Sequence, residues 1–376
     1  MKAAHVFITM PVGGAEDLVL SLMRMCTADI DLQAVCLREL GASGTEAADA
    51  KFPIHFLPVA LSRQMNPLGI WRLSRWLRRE KFDLVHSHVY NAHVYAVLAA
   101  KLAGLPCVMH HHKTFNRDRK RRWLTLRVLS KLTAVQITLS EQTRLDLLSA
   151  LSLKPDNVFA ISNAVDNSIF NAATDKRKIR RELGLPEAGF LMGAVASLNP
   201  QKNHAATVKM CRTLRDRCVD FHAVICGEGK LRGDLEKEIA ALDVGSVLRL
   251  AGNQRPIHPW LQCFDALLLP STWEGQPLIL LQALACGTPV IASRIEGNIA
   301  ALGADHLGLF DLDKADDYAN TVQKLATETS FRERLLAHQQ KTLSQQPALQ
   351  DYAVKLRKIY NLAIVPRSVQ KVNSYQ

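Results

Sequence analysis

Glu274 and Gln282 stand eight positions apart in STWEGQPLILLQALACGTPVIAS (271–293), a carboxylate and an amide separated by an apolar run. Gly275 lets the backbone come close to a ligand beside the acid, and a glutamine can accept from one hydroxyl while donating to another. Lys202, in ASLNPQKNH (196–204), could reach a phosphate as a point charge, or is a solvated surface lysine. Gly13 and Gly14, in MPVGGAE (10–16), can turn a strand into a helix whose first N–H groups face an anion. The full dinucleotide fingerprint is absent, so a plain turn is the other reading. Asp29/Asp31 and Asp311/Asp313 have the Asp-x-Asp spacing that holds Mg²⁺ on a diphosphate. Neither lies in a glycine-rich phosphate context, and both read as solvated polar turns. His86, His88, His110, His111 and His112 sit at strand ends. A triple histidine can ligate a metal, but alternation along a strand leaves only His110 and His112 on one side, so no metal is expected. His86 or His88 is expected to line a cleft floor.

The elements that must position these residues alternate. Strand-like runs stand at 4–10, 82–89, 106–112, 134–140 and 157–163, with helical patterns at 15–26, 68–80, 91–103 and 141–151. The series restarts at 190–197, 222–229, 246–252, 266–271 and 289–293. Short apolar β-rich runs separated by helix-length segments predict two doubly wound parallel sheets, which bind ligands at the carboxyl ends of their strands. The polar stretch 171–189 reads as the join. A last helix is expected over 349–363, with Tyr352, Val354, Leu356, Ile359, Tyr360 and Leu362 as its apolar residues.

Composition sets the bounds. The 376 residues are 48% hydrophobic and 22% charged, which fits a globular chain of two domains. No apolar run reaches the ~18 residues of a spanning helix, and the N-terminal run reads as a buried strand rather than a signal peptide. The eight cysteines form no CxxC pair and read as reduced core residues of a cytoplasmic protein, which argues against zinc. Residues 1–165 carry 21 Lys/Arg against 13 Asp/Glu, so +8 of the +12 net charge lies in the first half.

In order, VGGAE, HSH, ISNAVDNSIF, ASLNPQKNH, ICGEGKL and LPSTWEGQPLILLQALACGTPVIAS resemble glycosyltransferase family 4, the retaining sugar-nucleotide transferases of the GT-B fold. The likeness runs from about residue 5 to about 300, and the 269–293 stretch is its most specific part. It implies an α/β protein with two Rossmann-like domains facing across a cleft: residues 1–170 for the acceptor, 171–348 for the donor, and a terminal helix, 349–376, that crosses back. It also implies roles. Glu274 matches the acid by the donor sugar, and the backbone of Gly275, Gln276 and Pro277, running into Leu278, contacts sugar hydroxyls. Lys202, followed by Asn203, neutralises the donor diphosphate. Gly14 lies in the loop that approaches it. His112 stands near the reacting sugar, and Asn163 lies at the hinge. No metal and no cofactor are implied, because a lysine and backbone amides clamp the diphosphate; the donor is expected to be a UDP-sugar.

Three positions depart from the family pattern. Gln282 replaces the second glutamate, which usually binds ribose hydroxyls, and forgoes a charge-assisted bond. Ser197 replaces an arginine of the phosphate loop, and Ala164 a glycine of the hinge motif. The resemblance favours front-face displacement, with positioning and leaving-group stabilisation as the protein's work.

Two basic amphipathic stretches bear on the acceptor. In 70–82, Ile70, Leu73 and Leu77 share a stripe ringed by Arg72, Arg75, Arg78 and Arg79. In 113–131, Arg117, Arg119, Lys120, Arg121 and Arg122 precede Trp123, Leu124 and Leu126. Cations beside Trp and Leu fit a helix lying on an anionic membrane; a core helix with a solvated basic face is the alternative. No aromatic-rich motif for nucleic acid accompanies them. The expectation is a peripheral enzyme on the cytoplasmic membrane face, acting on a lipid-linked or lipopolysaccharide-type glycan. A degenerate partner subunit and a GT-B epimerase or phosphorylase are the rivals.

Overall fold

The computed structural model describes residues 1–25, 29–60, 65–112 and 120–365, with only the backbone of Lys120. The chain forms two compact units: residues 1–164 with 347–376, and residues 165–346.

The first unit runs β1 (Lys2–Phe7), α1 (Gly14–Arg24), β2 (Asp31–Cys36), α2 (Gly41–Asp49), β3 (Ile54–Phe56), α3 (Pro67–Arg79), β4 (Leu84–His88), α4 (Tyr90–Ala103), β5 (Cys107–His111), α5 (Lys120–Leu132), β6 (Val135–Thr138), α6 (Glu141–Leu151) and β7 (Val158–Ala160). Its strands form one seven-stranded parallel sheet in the order β3-β2-β1-β4-β5-β6-β7. β1, β4 and β5 are buried along almost their whole length, as strands covered on both faces must be, and after Lys2 read as apolar runs broken by histidines and Ser87. β2 and β3 escape the sequence reading: β2 opens on a charged residue and β3 has only three residues. Asp31, read as part of a solvated turn, is the exposed first residue of β2.

The second unit runs α7 (Lys176–Glu182), β8 (Phe190–Val195), α8 (His204–Asp216), β9 (Phe221–Cys226), α9 (Arg232–Ala241), β10 (Leu248–Gly252), α10 (His258–Cys263), β11 (Ala266–Leu269), α11 (Leu278–Ala285), β12 (Val290–Ser293), α12 (Glu296–Leu302), β13 (Leu309–Phe310), α13 (Asp317–Thr327) and α14 (Thr329–Ser344). Its sheet has the order β10-β9-β8-β11-β12-β13, over a core that includes Met192, Ile225, Leu268, Ile291 and Phe310. The stretch 171–189 is not a linker. Within it α7 packs on α10, and Arg180 is 5% exposed. Its guanidinium donates to Cys263 O at 3.0 and 2.9 Å, to Gly189 O at 3.1 Å and to Asp265 Oδ2 at 2.6 Å. A polar sequence becomes structure here because a buried charge has found a full set of acceptors.

The last helix, α15 (Leu349–Ile364), belongs to the first unit and lies on β4, β5 and β6. Tyr352, Leu356, Ile359 and Tyr360 are buried at helical spacing, whereas Val354 and Leu362, expected to be apolar contacts, are 54% and 44% exposed.

Candidate active site

In the second unit the strand order reverses between β8 and β11. Ligands of open parallel sheets bind outside the carboxyl ends of the strands at such a switch point. The loop after β8 carries Lys202, and the loop after β11 carries Glu274. They meet: Lys202 Nζ donates to Glu274 Oε1 at 2.5 Å, with side chains 17% and 8% exposed. Gln201 ties the loops together. Its Nε2 donates to Trp273 O at 2.9 Å and to Glu274 Oε2 at 3.2 Å, and its carbonyl accepts from Thr272 N at 2.9 Å. Asn199 Oδ1 accepts from Lys202 N at 3.2 Å. The lysine is thus fixed at its backbone by a cap and at its tip by a carboxylate. An ammonium has three donors, and Glu274 takes one.

Glycines permit this closeness. A Cβ on Gly297 would stand 2.4 Å from Glu274 O, so α12 sits directly against the 274–275 backbone. Cβ atoms on Gly227 and Gly229 would stand 1.9 and 2.3 Å from the carbonyl oxygens of Ala196 and Leu198. The Gly-bearing strand end 226–231 therefore serves to support the Lys202 loop. Gln276, Pro277 and Leu278 are buried where α11 begins, and Gly275 is half-buried. Gln276 Nε2 donates to Ala300 O at 3.3 Å. Asn203 holds a left-handed conformation, φ 51°, at the start of α8. Gln282, 4% exposed on α11, makes no side-chain hydrogen bond among the described residues. Ser197 is exposed and accepts from Asn199 Nδ2 at 2.8 Å.

In the first unit the order reverses between β1 and β4, and histidines occupy that switch point. Within the triple, His110 and His112 share a side as alternation requires, their ring centroids 4.0 Å apart, but neighbouring strands add further histidines to that side. Neighbouring parallel strands in register place His5 beside His86 and His88 beside His110, so same-face residues of three strands gather. His5 Nδ1 and His88 Nε2 are 2.8 Å apart, as are His88 Nδ1 and His112 Nε2. Tyr360 of α15 closes the chain, with its hydroxyl 3.0 Å from His5 Nε2 and 2.6 Å from His86 Nδ1. His111 points to the other face, its Nε2 2.9 Å from Gln136 Oε1. Burial pushes His5 down to about 3 and His111 to about 4. Burial, then neighbouring imidazoles, holds His86, His88 and His110 well below the ordinary histidine value. Val89, directly after His88, has φ 60°; for a β-branched residue this is a strained conformation that persists only where its surroundings fix it.

Gly14 is the first residue of α1, whose first turn carries Glu16 and Asp17. A Cβ on Gly13 would lie 2.6 Å from Glu16 Oε2, so an anion at this turn must share it with a carboxylate. Asn163 is buried at the end of the first unit's main segment.

Arg117 and Arg119 lie outside the described residues, as does the side chain of Lys120. Arg121 and Arg122 are exposed on α5. Leu126 and Leu129 face the core, but Leu124, Val128 and Leu132 are 66%, 53% and 37% exposed, an i, i+4, i+8 stripe in water. On α3, Ile70, Leu73 and Leu77 are buried core residues. Seven of the cysteines are free, six buried and Cys218 exposed.

Sequence reasoning overlooked Gln201, His5 and Tyr360. Gln201 stands next to Lys202, and His5 interrupts the first apolar strand; both could have been marked from that. Tyr360 read only as one apolar residue of a helix.

The Glycosyltransferase Family 4 profile matches residues 12–168, and the Glycosyl transferases group 1 profile matches residues 175–342. The UDP-Gal:alpha-D-GlcNAc-diphosphoundecaprenol alpha-1,3-galactosyltransferase of Escherichia coli is 28% identical over 348 residues, covering 87% of this chain and 88% of its own. The putative glycosyltransferase EpsF of Bacillus subtilis is 30% identical over 307 residues, 78% of this chain and 79% of its own. Among solved structures, Anabaena Alr3699/HepE in complex with UDP and glucose superposes with a TM-score of 0.82 at 18% identity, over 95% of this chain and 98% of that one. That likeness shows the fold, GT-B with two Rossmann-like parallel sheets. With both profiles in order along the chain and a 30% identical relative, the chain belongs to the family 4, group 1 glycosyltransferases.

Proposed function

We propose that this glycosyltransferase moves a sugar from a UDP-sugar to a lipid-linked glycan of the cell envelope, with retention at the anomeric carbon, while docked on the cytoplasmic face of an anionic membrane. The observation that carries the reading is the Lys202–Glu274 pair at the switch point of the second unit. In this scheme the second unit holds the donor and the first the acceptor. The bond from the anomeric carbon to the diphosphate oxygen breaks as the acceptor oxygen bonds on the same face, and the leaving oxygen takes the acceptor's proton. Negative charge grows on the diphosphate. Lys202, with two N–H donors beyond the one given to Glu274, meets that charge without reorganising. Glu274 and the 275–278 backbone hold the sugar hydroxyls, and Gln282 the ribose. No divalent cation enters, because Lys202 and backbone amides supply the positive charge. His112 borders the reacting sugar.

The acceptor part rests on other support. The name of the E. coli relative specifies a UDP-sugar donor and a diphosphoundecaprenol acceptor. On this chain the exposed Leu124, Val128 and Leu132 stripe lies among Arg121, Arg122, Arg127 and Lys131. A hollow of about 390 Å³ beside it is lined by Trp123, Leu124, Arg127 and Leu151. An apolar stripe rimmed by cations matches a surface of acyl chains under anionic headgroups.

Release of UDP on adding a lipid-diphosphate-linked glycan tests the reading. Lys202→Ala should lower kcat/KM by on the order of 100-fold or more. Glu274→Ala should lower turnover similarly while UDP binding, read by calorimetry, survives. Removing one partner of a largely buried ion pair costs about 3–5 kcal/mol of stability, so melting temperatures are read first. Near-wild-type turnover in a folded Lys202→Ala variant removes the role given to that lysine. Conversion of the sugar nucleotide without UDP release would indicate an epimerase.

A further inference from the structure

Apart from His112, the histidine stack has no task in that scheme, and one of its buried members, His110, lacks hydrogen-bond partners among the described residues. It is 1% exposed, and this holds for both of its ring nitrogens. A neutral imidazole carries one donor and one acceptor, and both are costly to bury unsatisfied. His88, His110 and His112 each offer one ring nitrogen, and these atoms lie within 4.8 Å of one another. We propose that these three histidines form a binding site for one borderline divalent cation of the Zn²⁺ class, with an open fourth position. The site goes beyond the glycosyl-transfer reading and does not rest on it.

Four features support it. The donor set is three imidazoles, which suit Zn²⁺, Cu²⁺ and Ni²⁺ and not Mg²⁺. One pair is close: two nitrogens at ~2.0–2.1 Å from a tetrahedral Zn²⁺ stand about 3.3 Å apart, against 2.8 Å between His88 Nδ1 and His112 Nε2, so those two rings open by about half an ångström while the His110 nitrogen, within 4.8 Å of both, moves inward. The outer shell is in place: in one of its two proton directions the hydrogen-bond chain behind His88 leaves His88 Nδ1 unprotonated, with His86 Nε2 unpartnered at its far end. His88 Nε2–H donates to His5 Nδ1, His5 Nε2–H to the Tyr360 oxygen, and the Tyr360 hydroxyl to His86 Nδ1. That assignment leaves the lone pair of His88 Nδ1 facing His112, where an ion would replace the His112 proton, and it fixes the ligand ring as outer-shell partners do. There is also a way in: His88 and His110 are buried, but His112 is half-buried, so the open position is on the solvent side. A bound ion ties up His112 and so couples the first unit's switch point to the free-metal level.

The test uses the full chain, stripped with chelator and titrated with Zn²⁺ by calorimetry and with Co²⁺ by visible absorption. One tight equivalent of Zn²⁺ is expected, with the intense Co²⁺ bands of a four-coordinate site. His110→Ala and His110→Phe should each weaken the tight binding by 100-fold or more; the phenyl ring keeps the volume without a ligand atom. Tight binding unchanged in a folded His110 variant, no tight equivalent in the wild type, or the pale spectrum of six-coordinate Co²⁺ each overturns the site. Should neither variant fold, the wild-type Co²⁺ spectrum decides.

Discussion

Gln282 sits inside α11, 4% exposed, with its amide uncommitted among the described residues. A buried amide left for a ligand differs from one used in packing, and two substitutions separate the cases. Gln282→Leu should weaken UDP binding by about 1–3 kcal/mol, because ribose hydroxyls lose a partner. Gln282→Glu should bind the donor as tightly or more tightly, by about 1 kcal/mol, since a charge-assisted bond is roughly twice as strong as a neutral one. Calorimetric titration reads both, and a folded Leu variant of unchanged affinity would count against the ribose role. Lys202 and Glu274 were individually visible in the sequence, one as an ambiguous lysine and one as a lone acid beside a glycine. Their contact was not, because 72 residues of chain separate them and only the strand order brings the two loops together.

For the elements, legibility followed apolar run length. β4, β5, β8 and β9 announce themselves as buried runs. β2 and β3 do not, and α7 hides in a polar stretch whose one buried cation, Arg180, is matched by carbonyls no pattern could foresee. The histidines show the same limit. Alternation along one strand is readable, whereas the register that sets His88 beside His110 belongs to a pair of strands. Helix α5 is where sequence left two readings open, and the helix has both faces: Leu126 and Leu129 inward, Leu124, Val128 and Leu132 outward. Replacing Arg121 and Arg122 by Ser should weaken binding to vesicles of anionic lipid by about 2 kcal/mol, at ~1 per charge near the surface, and high salt should erase most of the difference. Co-sedimentation at low salt measures it. Equal binding of variant and wild type would remove the membrane role from α5.

For the whole molecule, acid should act unevenly. The folded His5 titrates at about 3 and His111 at about 4, against 6.5 for an exposed histidine. Between those values and 6.5 the unfolded chain binds protons that the folded chain refuses, so stability falls as pH drops through that window and is unaffected above it. Each such histidine contributes about 1.4 kcal/mol per pH unit inside the window. His86, His88, His93 and His110 are lowered too, all in the first unit; His204 and His306, each at about 4, are in the second. Urea midpoints should be level from pH 8 to 7 and fall steeply from 6 to 5, with the first unit giving way first. A level profile down to pH 5 would contradict neutral burial of the stack.

Tyr360 gives this arrangement a temporal side. The hydroxyl that completes the bonds of His5 and His86 lies 355 and 274 residues downstream of them. During synthesis the amino-terminal sheet leaves the ribosome long before its last helix exists, and the whole second unit emerges in between. Until α15 arrives, two polar rings and the surface of β4 to β6 stand open to water. The first 164 residues therefore leave one face of their sheet uncovered until the end of the chain is made. A chain cut short before Tyr360 lacks the hydroxyl that bridges His5 and His86.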